Sequence, residues 1–256
     1  MIKLTEEQRT ITQELEKWIL NYVAPVFFIT GLPPNEKVVG NATVSFIECG
    51  ENNLFAVTND HVIQKFESFK EENLSAKIRF NNLEISLKER LIDRDTKIDL
   101  ATFRITSKEL EMLDKGKQAI FCRNWPPTEP NKEDIVLFAG FPQIFRQQIS
   151  TKECQFEAVP ILELITDISE ESMKSSFDRE NWEKFLGCRE LSELGTKFGG
   201  FSGASAFTVG PKDKIMVPKL VGFVFEYAPD FDTIFIRHAN CLTSEGKIKR
   251  DNISSS

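Results

Sequence analysis

From residue 24 onward the chain reads as a succession of short apolar runs, rich in valine, isoleucine and phenylalanine, each ended by a turn signal. Runs at 25–30, 38–47, 54–58, 77–80, 83–87 and 100–105 are punctuated by Gly31-Leu32-Pro33-Pro34-Asn35, Asn52-Asn53 and the hairpin-like Asn81-Asn82. A second group occupies 135–142, 157–166, 205–209, 219–227 and 233–238. Between the groups, 106–134 is polar and turn-rich, with Pro126, Pro127 and Pro130, and marks the best boundary between two halves. Short strands at this spacing predict an all-β barrel or sandwich.

Two helices are predicted beside the strands. The first, 5–22, opens on a Thr5–Gln8 capping box and carries Ile11, Leu15, Trp18, Ile19 and Tyr22 on one face. It is expected to pack on the body; a partner-binding arm is the other reading. The second, 169–187, has Met173, Phe177, Trp182, Phe185 and Leu186 as its apolar members and Gly187 as its stop. The polar tail, 243–256, is expected to fray.

Bulk properties narrow the function classes. At 256 residues the chain can bury a sizeable core. Its net charge of −7, without a long basic run, argues against general nucleic-acid binding. No apolar stretch reaches the length of a membrane span, and the acidic, amphipathic N-terminus lacks signal-peptide character. Cys49, Cys122, Cys154, Cys188 and Cys241 are odd in number and lack metal-ligand spacing. They read as reduced thiols of a cytoplasmic protein, and no metal or cofactor is expected.

One stretch carries the strongest hint of chemistry: Phe198-Gly199-Gly200-Phe201-Ser202-Gly203-Ala204-Ser205-Ala206-Phe207. Glycines around a serine let its hydroxyl face outward beside backbone N–H groups, the parts an acyl-transfer nucleophile needs. Alone, such a stretch is more often a plain turn. His61, just after the apolar strand 54–58, is alone more often structural, and Asp99, opening the strand 100–105, reads alone as a turn or cap. In the order His61, Asp99, Ser202 they form a known sequence of base, orienter and nucleophile. The hydroxyl must lose a tightly held proton, neutral imidazole can take it near pH 7, and a carboxylate fixes the imidazole tautomer.

At these residues the chain resembles the trypsin-like, chymotrypsin-fold serine peptidases, and most closely the bacterial trypsin-like peptidase domains. Val57-Thr58-Asn59-Asp60-His61-Val62 is similar to the family's histidine motif, Asp99-Leu100-Ala101 to its aspartate motif, and Gly200-Phe201-Ser202-Gly203-Ala204-Ser205 to its serine motif. The glycine-containing strand 40–46, the turn Gly140-Phe141-Pro142 and the strand 220–225 match as well. The resemblance covers 25–240. It implies two antiparallel β-barrels with the active site between them, a first at 25–118 and a second at 119–242; with the helices and tail read from the residues, the chain divides into an N-terminal helix at 1–24, these two barrels, the second with a helical insertion at 169–187, and a flexible tail at 243–256. It further implies peptide-bond hydrolysis, with Ser202 as nucleophile, His61 as general acid and base, Asp99 as orienter, and the N–H groups of Gly200 and Ser202 as the oxyanion hole. The partner it implies is a protein or peptide substrate.

The chain departs from the family pattern in two places. The interval between Asp99 and Ser202 is long, and Phe201 replaces the aspartate that secreted members pair with a newly cut N-terminus. That activation route is closed here. Low basal activity raised by a protein partner, acting through 5–22 or 169–187, is expected instead, with Gly199-Gly200 free to flip a peptide and bury the hole. By alignment, Thr196 lies at the base of the specificity pocket and Phe225, Glu226 and Tyr227 form its wall. No aspartate fills the base, so a Lys or Arg preference is not expected. A small apolar residue before the cut bond ranks above an acidic one, which Arg237 or His238 would favour by pointing into the pocket. An α/β-hydrolase elbow using His238 is rejected because 204–209 is β-like. Ser205 is a weaker nucleophile candidate. The competing reading from another class is a catalytically inactive protease-fold module used for binding.

Overall fold

The computed structural model describes residues 6–30, 37–50, 53–113, 116–127, 129–149, 154–177, 199–212, 215–228 and 231–250. The first half comprises helix α1 (Glu6–Ile19), strands β1 (Val23–Thr30), β2 (Lys37–Cys49) and β3 (Asn53–Thr58), helix α2 (Asp60–Glu72), strands β4 (Lys77–Phe80) and β5 (Leu83–Glu84), the short helix α3 (Leu87–Arg90), β6 (Leu91–Asp95), β7 (Leu100–Arg104) and α4 (Ser107–Glu111). Then follow β8 (Ile120–Cys122), β9 (Ile135–Gly140), β10 (Arg146–Gln148), β11 (Cys154–Phe156), β12 (Val159–Ile168), β13 (Ser172–Ser176), β14 (Ser205–Lys212), β15 (Ile215–Ala228) and β16 (Thr233–His238).

The protein is mostly β. The second half closes into a six-stranded barrel in the order β12-β13-β16-β15-β14-β9. The first half is a curled sheet in the order β5-β4-β1-β2-β3-β7-β6, with β8 added alongside β2. A closed first barrel was expected. Among the described residues its ends do not pair, because β5 is only two residues long and α3 carries the chain on to β6.

Strand alternation places the cores. Ala42, Val44 and Phe46 on one face of β2 join Val26, Phe28, Ile78, Phe80 and Phe103 inside the curled sheet, which α2 covers with Val62, Ile63 and Phe66. Phe138, Ile161, Met173, Val224 and Ile236 fill the barrel. A third cluster joins the two bodies through Ile47, Phe55, Val57 and Leu100 from the first and Leu137, Phe207 and Phe223 from the second. Helix α1 packs against it: Ile19 is buried, and Trp18 meets Phe207 edge-on at 5.0 Å.

Four expectations change. The helix foreseen over 169–187 is strand β13 in its described part, paired with β12 and β16; 178–187 lies outside the described residues. Met173 and Phe177 stand four apart, a spacing that fits a helical stripe and also one face of a strand. Ser175, between them on that face, is fully buried. The boundary at 118/119 falls too early, since β8 pairs in parallel with β2 of the first sheet. The tail is packed as far as residue 250: Leu242 bridges Ile248, which is buried, and Arg250 pairs with Asp93 and Asp95. Helix α2 was not foreseen, although Val62, Ile63 and Phe66 hold helical spacing.

Candidate active site

Each candidate residue sits in a turn or first helical turn next to a strand end: His61 after β3, Asp99 before β7 and Ser202 before β14. β3 ends at Thr58, Asn59 bridges in extended conformation, and His61 lies in the first turn of α2. Asp99 is the last residue of the β6–β7 turn and takes φ +58°, a left-handed conformation that aspartate and asparagine tolerate better than bulkier residues. Its carboxylate accepts the His61 backbone N–H at 2.8 Å through Oδ1 and meets His61 Nδ1 at 2.7 Å through Oδ2. A carboxylate only accepts, so Nδ1 carries the proton and Nε2 presents its lone pair. Asn59, fully buried, donates from Nδ2 to the Asp99 carbonyl at 2.6 Å and to Oδ2 at 3.2 Å. The couple is graded in exposure: the Asp99 side chain is 18% exposed and that of His61 48%.

Ser202 stands in a turn closed by Ala204 N–H to Phe201 O at 2.9 Å. Gly203, the third residue of that turn, takes φ +91°, and a Cβ there would lie 2.3 Å from the Thr43 carbonyl oxygen. The turn is fastened to the first sheet by β2. Thr43 N–H donates to Ser202 O at 3.0 Å and Thr43 Oγ1 to Gly200 O at 2.6 Å, while Ser45 Oγ donates to Gly203 O at 3.0 Å. It is fastened to the barrel by Gly203 N–H to Val224 O and Val224 N–H to Ala204 O. Phe201 turns inward, buried against Phe138 at 6.0 Å edge-to-face, and belongs to the core of the barrel.

His61, Asp99, Gly200 and Ser202 line one cavity of about 330 Å³ together with Phe225, Glu226, Tyr227 and Ile234. Among the described residues no hydrogen bond joins Ser202 Oγ to His61. The N–H groups of Gly200 and Ser202 have no hydrogen-bond partner among the described residues. The Gly199 carbonyl accepts from Gln143 N–H at 2.9 Å, which points the N–H of the same trans peptide, that of Gly200, the opposite way.

The wall residues Phe225, Glu226 and Tyr227 thus meet the triad candidates, whereas Thr196 lies outside the described residues. Arg237 and His238 are not among the described residues that line this cavity, although the Arg237 guanidinium stacks at 4.4 Å on the ring of Phe225, which is. Arg237 donates to Ile98 O at 3.0 Å and to Glu171 O at 3.1 Å, and His238 Nε2 meets Ser169 O at 2.8 Å. Ser205 is fully buried in β14, out of reach as a nucleophile. No cluster of potential metal ligands occurs among the described residues, and no described helix is long and apolar enough to cross a membrane. Cys49, Cys122, Cys154 and Cys241 are free thiols, Cys49 and Cys122 being register partners across β2 and β8.

Sequence reasoning missed the supports: Thr43, Ser45, Thr58 and Asn59, all fully buried. The available signal was alternation, because Thr43 and Ser45 share the β2 face opposite Ala42, Val44 and Phe46. A polar face on a strand ordinarily reads as solvent-facing; here it meets the serine turn.

The chain matches no protein-family model and no curated protein.

Proposed function

We infer that this chain is a serine endopeptidase of the chymotrypsin-like two-barrel kind, cleaving peptide bonds through an acyl-enzyme on Ser202. The observation that carries this reading is the doubly bonded Asp99–His61 couple on one cavity wall with Ser202. His61 Nε2 takes the Ser202 proton as Oγ attacks the carbonyl carbon, then returns it to the leaving amine. Gly200 and Ser202 N–H groups receive the developing oxyanion, a role supported by the orientation of the 199–200 peptide. Apoenzyme hydrogen bonds of this kind commonly tighten only when substrate binds. The apolar wall of Phe225, Tyr227 and Ile234 favours a small or medium apolar residue before the cut bond. A regulated cytoplasmic protease, raised from low basal activity by a protein partner, is the accompanying proposal.

The second reading, a binding module without catalysis, is favoured by the missing Ser202–His61 hydrogen bond. A fluorophosphonate probe separates the two. Labelling at Ser202, abolished in Ser202→Ala and in His61→Ala, supports the peptidase. A folded, unlabelled wild-type protein that also cleaves nothing in a positional-scanning peptide library supports the binding module.

A further inference from the structure

We propose that Cys49 and Cys122 form a reversible disulfide when a hydroperoxide is present, a modification site that fastens β8 to β2. The two are register partners in a parallel pairing that also aligns Ile47 with Ile120. Residues two apart on a strand share a face. Here that face is one apolar cluster: Ile47, Cys49 and Ile120 are buried in it, and Cys122 packs against it. Phe121, between the two β8 members, points the other way and is 62% exposed. Both sulfurs therefore lie on the same side of the sheet. Adjacent strands lie about 4.8 Å apart, inside the Cα separation of about 4.4–6.8 Å that a disulfide spans. The two thiols, both free, are hydrogen-bonded to each other.

The two thiols are not equivalent. Cys49 is buried, whereas Cys122 is half-buried and within reach of a small oxidant. Donation by the Cys49 S–H holds the Cys122 thiol below its ordinary range against the opposing effect of burial, and the same bond, together with burial, pushes Cys49 up. Burial pushes Cys154 up as well, and Cys241 to about 12. Among the described cysteines Cys122 thus has the greatest thiolate character, and the thiolate is the reactive form. The Cys122 thiolate attacks a peroxide oxygen, the O–O bond breaks, and hydroxide leaves behind a sulfenic acid. The Cys49 sulfur then attacks the Cys122 sulfur. The S–S bond forms, the S–O bond breaks, and the departing hydroxide takes the Cys49 proton as water. Each sulfur gives up one electron, and the peroxide gains two. The link fastens β8, the last strand before the chain crosses to the barrel, to the strand whose Thr43 and Ser45 hold the serine turn.

Hydrogen peroxide is the probe, added to the reduced, folded full chain, with the products read by intact mass and by peptide mapping without reductant. The chain should lose the mass of two hydrogens and yield one linked peptide joining Cys49 to Cys122, and dithiothreitol should restore the starting mass. Cys122→Ser, at a half-buried position, should abolish the link. Cys49→Ser keeps a hydroxyl to donate to Cys122 but removes the attacking sulfur, so the Cys122 sulfenic acid should persist and be trapped by dimedone. The wild-type map and Cys122→Ser decide the matter even where Cys49→Ser does not fold. The proposal is overturned by the absence of a linked product, by a link between any other pair of cysteines, by a link that survives in Cys122→Ser, by a product that dithiothreitol does not reverse, or by a folded Cys49→Ser protein whose Cys122 takes up no dimedone. None of these readouts depends on proteolysis, so they stand apart from the test of Ser202.

Discussion

Asp99 grips His61 at two points, its backbone N–H at 2.8 Å and its ring Nδ1 at 2.7 Å. One carboxylate therefore fixes both where the first turn of α2 begins and which imidazole nitrogen is left to face the cavity. Position and tautomer are set by the same group.

Asp99→Asn separates these two duties. Asparagine accepts the His61 N–H and tolerates φ +58°, so the thermal midpoint should hold within a few degrees. Its amide cannot hold the same tautomer, and kcat should fall roughly 10⁴-fold, the scale known for this change in a Ser-His-Asp triad. Steady-state kinetics on any cleaved peptide, beside a melting curve, checks both halves. Undiminished kcat would remove Asp99 from the mechanism.

Gln143→Pro tests the peptide that orients the Gly200 N–H. Proline fits the 3₁₀ turn at 143–145 but removes the N–H that holds the Gly199 carbonyl. The freed peptide can flip, and kcat should drop by about 10²-fold or more, as when one oxyanion donor is lost. KM should change little. Equal kcat in wild type and variant would show that the Gln143 bond does not position the loop.

Two substitutions in the serine turn should act on folding as well as on activity. Gly203→Ala puts a methyl 2.3 Å from Thr43 O and 2.7 Å from Thr58 Oγ1 at φ +91°, and should cost at least about 1 kcal/mol. Phe201→Ala empties a buried ring site and should cost roughly 3–5 kcal/mol. Urea unfolding of both variants measures this. A Phe201→Ala protein as stable as wild type would contradict the core role given to that ring.

The Arg250–Asp93 pair predicts a pH signature for the packed tail. Burial pushes the Asp93 carboxyl up, but the Arg250 guanidinium at 2.6 and 3.0 Å and the Ile248 N–H at 2.9 Å outweigh it and hold the carboxyl below its ordinary 3.8. A carboxyl depressed in the folded state stabilises above its unfolded pKa, and that contribution is lost as pH falls through the folded pKa. Arg250→Ala should therefore lower the melting temperature at pH 7, with the gap closing below about pH 4. Scanning calorimetry at pH 7, 5 and 3 follows it; a gap still full at pH 3 rules the pair out as its source.

The sequence by itself determined the β class, most strand positions and the chain order of His61, Asp99 and Ser202. These are local signals: period-two alternation, glycine and asparagine at turns, and short motifs at strand ends. Tertiary structure decided what local periodicity leaves degenerate. Met173 and Phe177 satisfied two periods, and pairing with β12 and β16 selected the strand. Thr43 and Ser45 formed a polar strand face in sequence, and only the approach of the barrel made that face the anchor of the serine turn. Arg237 and His238 alternate along β16, and their hydrogen-bond partners at Ile98, Glu171 and Ser169 are distant in sequence. A strand's pattern fixes which residues share a face; what that face meets depends on how the sheets close, because the partner groups lie on strands the local sequence does not specify.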